Sequence, residues 1–98
     1  MRADKRIPHE AARSGKAELI ELLAELGINL TTRTKNGYTP LHWAAVSGQL
    51  DTARVLLDCG VPPDSRDINM NTPLHRAAEN GHLDVCQLLV DRGADVSM

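Results

Sequence analysis

The side chains best suited to chemistry in this sequence are its imidazoles, thiols and carboxylates. His9, His42 and His75 stand 33 residues apart, and a set of imidazoles in register is what a zinc site would need. Geometry argues against it. Helices packed side by side lie about 8–10 Å apart, whereas zinc needs its ligands within about 2.0–2.3 Å of one ion. Equivalent positions of successive units therefore cannot share a metal, and the histidines are expected to tie turns and neighbouring loops, with Thr39 and Thr72 as local partners. His82, just after Gly81, is expected at a helix start. Cys59 and Cys86 lack the His/Asp company that nucleophilic catalysis requires, and Cys86 falls where the preceding unit has Ala53, the place of a small core residue. Glu18, Glu21 and Glu25 follow one another three and four residues apart and form a solvated helix face. No G-x-x-x-x-G-K-[ST] phosphate loop occurs. No catalytic residue, cofactor or metal is expected.

The totals set the frame for what positions these groups. A chain of 98 residues, 42% hydrophobic, has the size of one domain. With one Trp, one Tyr and no Phe, its core must be built from Leu, Val, Ile and Ala. A formal charge of -2 gives no field that would gather nucleic acid or an anionic membrane. Two cysteines make no disulfide framework and point to a reducing setting, cytoplasmic or nuclear. No apolar run reaches the length of a membrane span, and "MRADKRIPHE" lacks the apolar segment of a secretory signal.

The spacing of the histidines belongs to the whole chain. Gly15, Gly48 and Gly81 share it, as do Gly27, Gly60 and Gly93, the pairs Ala11-Ala12, Ala44-Ala45 and Ala77-Ala78, and Leu23, Leu56 and Leu89. The chain is three copies of one unit. In the second copy Thr39 is placed to cap a helix and Pro40 to open it; "LHWAAVS" makes about two turns before Gly48 stops it. "LDTARVLLD" follows as a second helix, with Leu50, Ala53, Leu56 and Leu57 on one face and Asp51 in the first turn. Gly60 ends it, and "VPPDSRDINMN" turns back as a loop.

The period and the strings "TPLHWAA", "TPLHRAA" and "GADV" resemble the ankyrin repeat over nearly the whole chain. The resemblance implies an all-α repeat solenoid: a single domain over 1–98 of helix-turn-helix units with projecting hairpin loops, divided as a capping-like repeat (1–33), a central repeat (34–66) and a third repeat (67–98). It implies a non-catalytic module that binds another protein, and the charge balance adds the expectation of no nucleic acid and no membrane as partner. The first copy departs from the pattern: Arg6 replaces the capping Thr, Pro8 takes the Leu position, and Arg2, Lys5, Arg6, Glu10 and Arg13 crowd its opening, as suits a solvent-facing end. The third keeps Val85, Leu88 and Leu89 with no polar replacement on its outer face. That face is expected either to have lost a further element or to be covered by a partner. A monomer is expected, with self-association through this face as the other outcome.

Positions that vary between copies are those the framework does not need. At the loop tips Lys35, Asn36 and Tyr38 align with Ile68, Asn69 and Asn71; on the first helices Trp43, Val46 and Ser47 align with Arg76, Glu79 and Asn80, and with Glu10, Arg13 and Ser14. The resemblance implies that such tips and helix faces line a concave groove where partners bind, through Lys35, Asn36, Tyr38, Trp43, Val46, Ser47, Ile68, Asn69, Asn71, Arg76, Glu79 and Asn80. Trp43 stands between two readings, an interface anchor or a ring packed between first helices. Gly37 becomes Met70 in the third copy, and Asn69 or Asn71 is expected to supply the left-handed turn residue, leaving Ile68 and Met70 exposed. Two other readings remain beside the interaction module: a small-ligand or nucleotide binder that stacks on Tyr38 and Trp43 with Lys35 and Arg76 for phosphates, and an engineered or reconstructed scaffold without a natural partner.

Overall fold

A computed structural model describes residues 6–97; Arg2 and Lys5 of the crowded opening lie outside them. Six helices follow in order: α1 (Arg6–Arg13), α2 (Ala17–Glu25), α3 (Pro40–Val46), α4 (Leu50–Asp58), α5 (Pro73–Glu79) and α6 (Leu83–Asp91), and no strand forms among the described residues. Each unit is a short helix and a longer one. The short helices α1, α3 and α5 stack in one layer, the long helices α2, α4 and α6 in the other. The result is an all-α repeat solenoid, 41 × 25 × 20 Å.

The alanine pairs explain how closely the short helices approach. Ala11, Ala12, Ala44, Ala45 and Ala77 are buried between them, and Ile20, Leu23, Leu41, Leu56, Val85 and Leu89 fill the space between the layers. Each buried Leu or Ile contributes about 1.5–3 kcal/mol of transfer free energy. Cys86 is half-buried against this core and Cys59 is exposed where α4 ends. On the flank of repeat three that has no neighbour, Ala78 is exposed although its counterparts Ala12 and Ala45 are buried, and Leu83 and Val96 stand in the open.

Capping follows the residue types. The hydroxyls of Thr39 and Thr72 accept the backbone N–H of His42 and His75, whose Nδ1 atoms accept the N–H of the threonines in return. Both ends of this reciprocal cap satisfy donors that a helix start leaves unpaired. The imidazoles also fasten the repeats. His42 Nε2 lies 2.9 Å from the Asn71 carbonyl; a carbonyl only accepts, so Nε2 bears the proton and Nδ1 is bare. His9 Nε2 lies 3.1 Å from the Thr32 hydroxyl. His82 opens α6 as expected, and its Nε2 donates to the Val46 carbonyl of the repeat before it, at 3.0 Å. Gly48 makes room for that contact: a Cβ there would stand 2.6 Å from the His82 ring.

One expectation is corrected at the third loop tip. Met70 itself takes the left-handed conformation, with φ 66°, and neither Asn69 nor Asn71 does. The frame of the turn is fixed from both sides. Asp67 Oδ1 accepts the N–H of Asn69 and of Asn71, and the Asn71 carbonyl is held by His42. Position 70 must then be left-handed whatever residue occupies it, a strain of about 1–2 kcal/mol for a residue with a Cβ. The earlier tip has Gly37 at this point and needs it twice over, because a Cβ on Gly37 would also sit 2.8 Å from the Ile68 nitrogen. Ile68 and Met70 are exposed, at 68% and 59%.

Candidate partner-binding face

Two loop tips and the first helices behind them form one side of the molecule. In the second repeat Thr34 N–H donates to the Tyr38 carbonyl and Gly37 N–H to the Thr34 carbonyl, both at 2.9 Å; Asp67, Asn71 and Met70 repeat the pattern in the third. Ile68 N–H donates to the Asn36 carbonyl and joins the tips. Arg33 braces them, donating to the carbonyls of Gly37 and Arg66.

Asp67, absent from the expected site, organises this side. It is 3% exposed. Its Oδ1 holds the tip, and its Oδ2 accepts from Arg76 Nε at 3.0 Å and Nη2 at 2.8 Å. Burial pushes the Asp67 carboxyl up, but the N–H of Asn71, the Arg76 guanidinium and the N–H of Asn69 outweigh it and hold it below the ordinary carboxylate value. Arg76 is bound on a second side by Glu79 at 2.7 Å and lies 5.3 Å from the Tyr38 ring centroid. The bond to Glu79 first, then that to Asp67, raises its pKa still further. The signal for this brace was in the sequence: an acid at the loop position that holds Thr34 one repeat earlier, nine residues before an arginine.

The aromatic side chains sit between the tips and α3. Tyr38 stacks on His42 at 5.2 Å and 28°, and meets Trp43 at 5.0 Å and 59°. Burial raises the Tyr38 phenol above its ordinary value. Trp43 is half-buried and packs against the core, which is the packing role among the two expected of it. Arg13 of α1 lies 5.8 Å from its ring centroid. A groove of about 360 Å³ runs across this region, lined by Thr34, Asn36, Tyr38, Trp43, Val46, Ile68, Asn69 and Arg76.

The remaining expected residues are not among those that line that groove. Lys35 is an exposed side chain at a tip, Ser47 ends α3 half-buried, and Asn71 serves the His42 bond. Glu79 pairs with Arg76, and Asn80 donates to the Arg76 carbonyl. Residues 8–98 match the family model described as ankyrin repeats, in three copies. No curated protein matches the chain.

Proposed function

The chain belongs to the ankyrin repeat family, and on that premise we propose that it is a non-catalytic interaction module that grips a folded partner through its loop tips and the concave face of its first helices. Ankyrin repeats generally mediate protein–protein interaction. One observation supports the finer reading. The repeat frame requires none of Tyr38, Trp43, Val46 or Ile68, yet these apolar side chains are held together, part-exposed, along one groove with polar tips at its rim. Large aromatic anchors surrounded by a polar rim are the usual composition of an energetic centre in a protein interface. The tips are cross-braced by backbone and side-chain hydrogen bonds, so little ordering entropy is lost on binding.

Site-specific photo-crosslinking tests the assignment. A benzophenone side chain at Asn36 or Ser47 is expected to capture a partner, and the same group at Glu21 or Asp51, on the opposite layer, is not. Capture from Glu21 and Asp51 alone would overturn the concave-face reading.

A further inference from the structure

Repeat one differs from the others where its helix begins, and the difference leaves polar groups unmet. In repeats two and three the Nδ1 of the framework histidine faces a threonine hydroxyl and N–H. Arg6 stands in that place in repeat one and has no hydroxyl to offer. His9 is 7% exposed, and its Nδ1 is buried without a hydrogen-bond partner. Across from it, the Nε1–H of Trp43 is in the same condition. Three buried side-chain polar atoms lack a partner among the described residues, and two of them belong to residues lining one cavity of about 170 Å³ between α1 and α3. Buried polar groups are ordinarily satisfied, so two orphans at one small opening point to a polar ligand atom.

The charge around the opening gives that atom its sign. Arg6, Arg13 and Glu10 line it, and Arg13, above the indole, makes no ion pair among the described residues. The tips and first helices of repeats one and two carry Arg6, Arg13, Arg33 and Lys35 against Glu10 alone, whereas α2, α4 and their starts carry Glu18, Glu21, Glu25, Asp51 and Asp58 against Lys16 and Arg54. A chain of net negative charge thus turns a positive side to the groove. The cavity shares Trp43 and Thr34 with the wider groove, so the indole stands between a small charged notch and a larger apolar trough.

We propose that this notch takes the carboxylate of an aspartate or glutamate in a partner's surface segment, with Arg13 supplying the charge and the Trp43 Nε1–H a second donor. An apolar side chain of the same segment lies across the indole, against Tyr38, Val46 and Ile68. With the Thr32 hydroxyl donating to Nε2, His9 presents Nδ1–H as a third donor. Glu10 at the rim opposes a doubly charged phosphate more strongly than a carboxylate, which favours an acidic protein segment over nucleic acid. The inference rests on the concave-face reading above and states what that face recognises.

Trp43 is the chain's only tryptophan, so its indole N–H gives one resolved NMR cross-peak. The full chain is titrated with acetyl-Glu-Leu-Asp-Leu-Glu-amide and with its twin in which Gln and Asn replace the acids. The acidic peptide is expected to move the indole cross-peak downfield in a saturable way, and the twin to bind about tenfold more weakly. Arg13→Gln should weaken the acidic peptide by roughly fivefold or more and leave the thermal unfolding curve in place. Equal binding of the twin, unchanged binding by Arg13→Gln, or no movement up to about 10 mM of either peptide would overturn the proposal. So would a stronger response to a ten-nucleotide oligothymidylate. If Asn36 and Ser47 crosslink a partner while Arg13→Gln binds the peptide as before, the concave face stands and the carboxylate notch falls.

Discussion

Asp67→Ala is expected to destabilise the protein by about 3–4 kcal/mol, an uncommonly large effect for a loop residue. The carboxylate accepts four bonds: Asn69 N–H at 2.9 Å, Asn71 N–H at 3.0 Å, and Arg76 Nε and Nη2 at 3.0 and 2.8 Å. Hydrogen bonds to a charged group contribute roughly 1.5–3 kcal/mol each, and breaking a buried ion pair costs about 3–5 kcal/mol. The sum is discounted because Arg76 keeps Glu79 and its side chain is 15% exposed, so water and one acid still serve the guanidinium. Asp67→Thr places at the third tip the residue that the second tip has at Thr34, where the hydroxyl accepts Tyr38 N–H. It should restore the backbone contact without the charge and cost about half as much, ~2 kcal/mol. Arg76→Ala combined with Asp67→Ala should cost about 1–3 kcal/mol less than the two singles together. Urea unfolding followed by circular dichroism measures these differences, and Tm should fall by roughly 12–32 °C for Asp67→Ala. A stack of repeats unfolds piecewise when one unit is weakened, so helicity should be lost before the fluorescence of Trp43 in the central repeat changes. An Asp67→Ala protein within about 0.5 kcal/mol of the parent, or an Asp67→Thr protein as unstable as the alanine variant, would refute the view that this carboxylate pins the tip.

Two further outcomes follow from the same framework. Burial lowers the pKa of His9 and of His42, so the unfolded chain binds protons more readily than the folded one; their stabilising effect is complete above about pH 6.5 and is lost as pH falls through the lowered folded values. Thermal unfolding should therefore occur at lower temperature at pH 5.5 than at pH 7.5, and His42→Gln should flatten that dependence; a slope unchanged by the substitution would place its origin elsewhere. Met70→Gly should raise stability by about 0.5–1 kcal/mol, because relief of the left-handed strain exceeds the extra entropy of glycine in the unfolded chain; a lower urea midpoint would show that the tip is not strained.

The repeat, its helices and its turns were legible because each is local and stated three times. Thr39, Pro40 and Gly48 mark a helix by rules that act within a few residues, and the constant period shows which positions are framework. Contacts between repeats were only half legible. That the histidines tie loops follows from Thr39 and Thr72 standing three residues before them, but the Val46 carbonyl as the partner of His82 depends on how far the second layer tilts over the first. Asp67 was missed for a related reason. Variation between copies marks positions freed from the framework, and it also marks positions where one copy has built something of its own. Thr34 and Asp67 differ because one tip holds its backbone with a hydroxyl and the other holds both its backbone and an arginine. The difference at Met70 has the same root: side-chain preference points to an asparagine as the left-handed residue, whereas Asp67 and His42 fix the backbone on either side and impose the conformation on position 70.

These particulars change where binding energy should be sought on the concave face. Arg76 looks from composition like an interface arginine, but Asp67 and Glu79 already neutralise it and Tyr38 lies against it. A partner carboxylate approaching Arg76 would meet a cluster in which two acids outnumber one arginine and would have to displace an internal acid, so Arg76 acts by stiffening the trough. Arg13 holds the position of the first helix that Val46 holds in the second and Glu79 in the third, and no acid in the described chain engages it. The trough is therefore rigid and net acidic at repeat three, apolar at repeat two and cationic at repeat one. On the proposal that an acidic segment binds here, that segment presents its apolar side chain toward Tyr38 and its acid toward Arg13, which fixes the direction in which the partner lies across the stack.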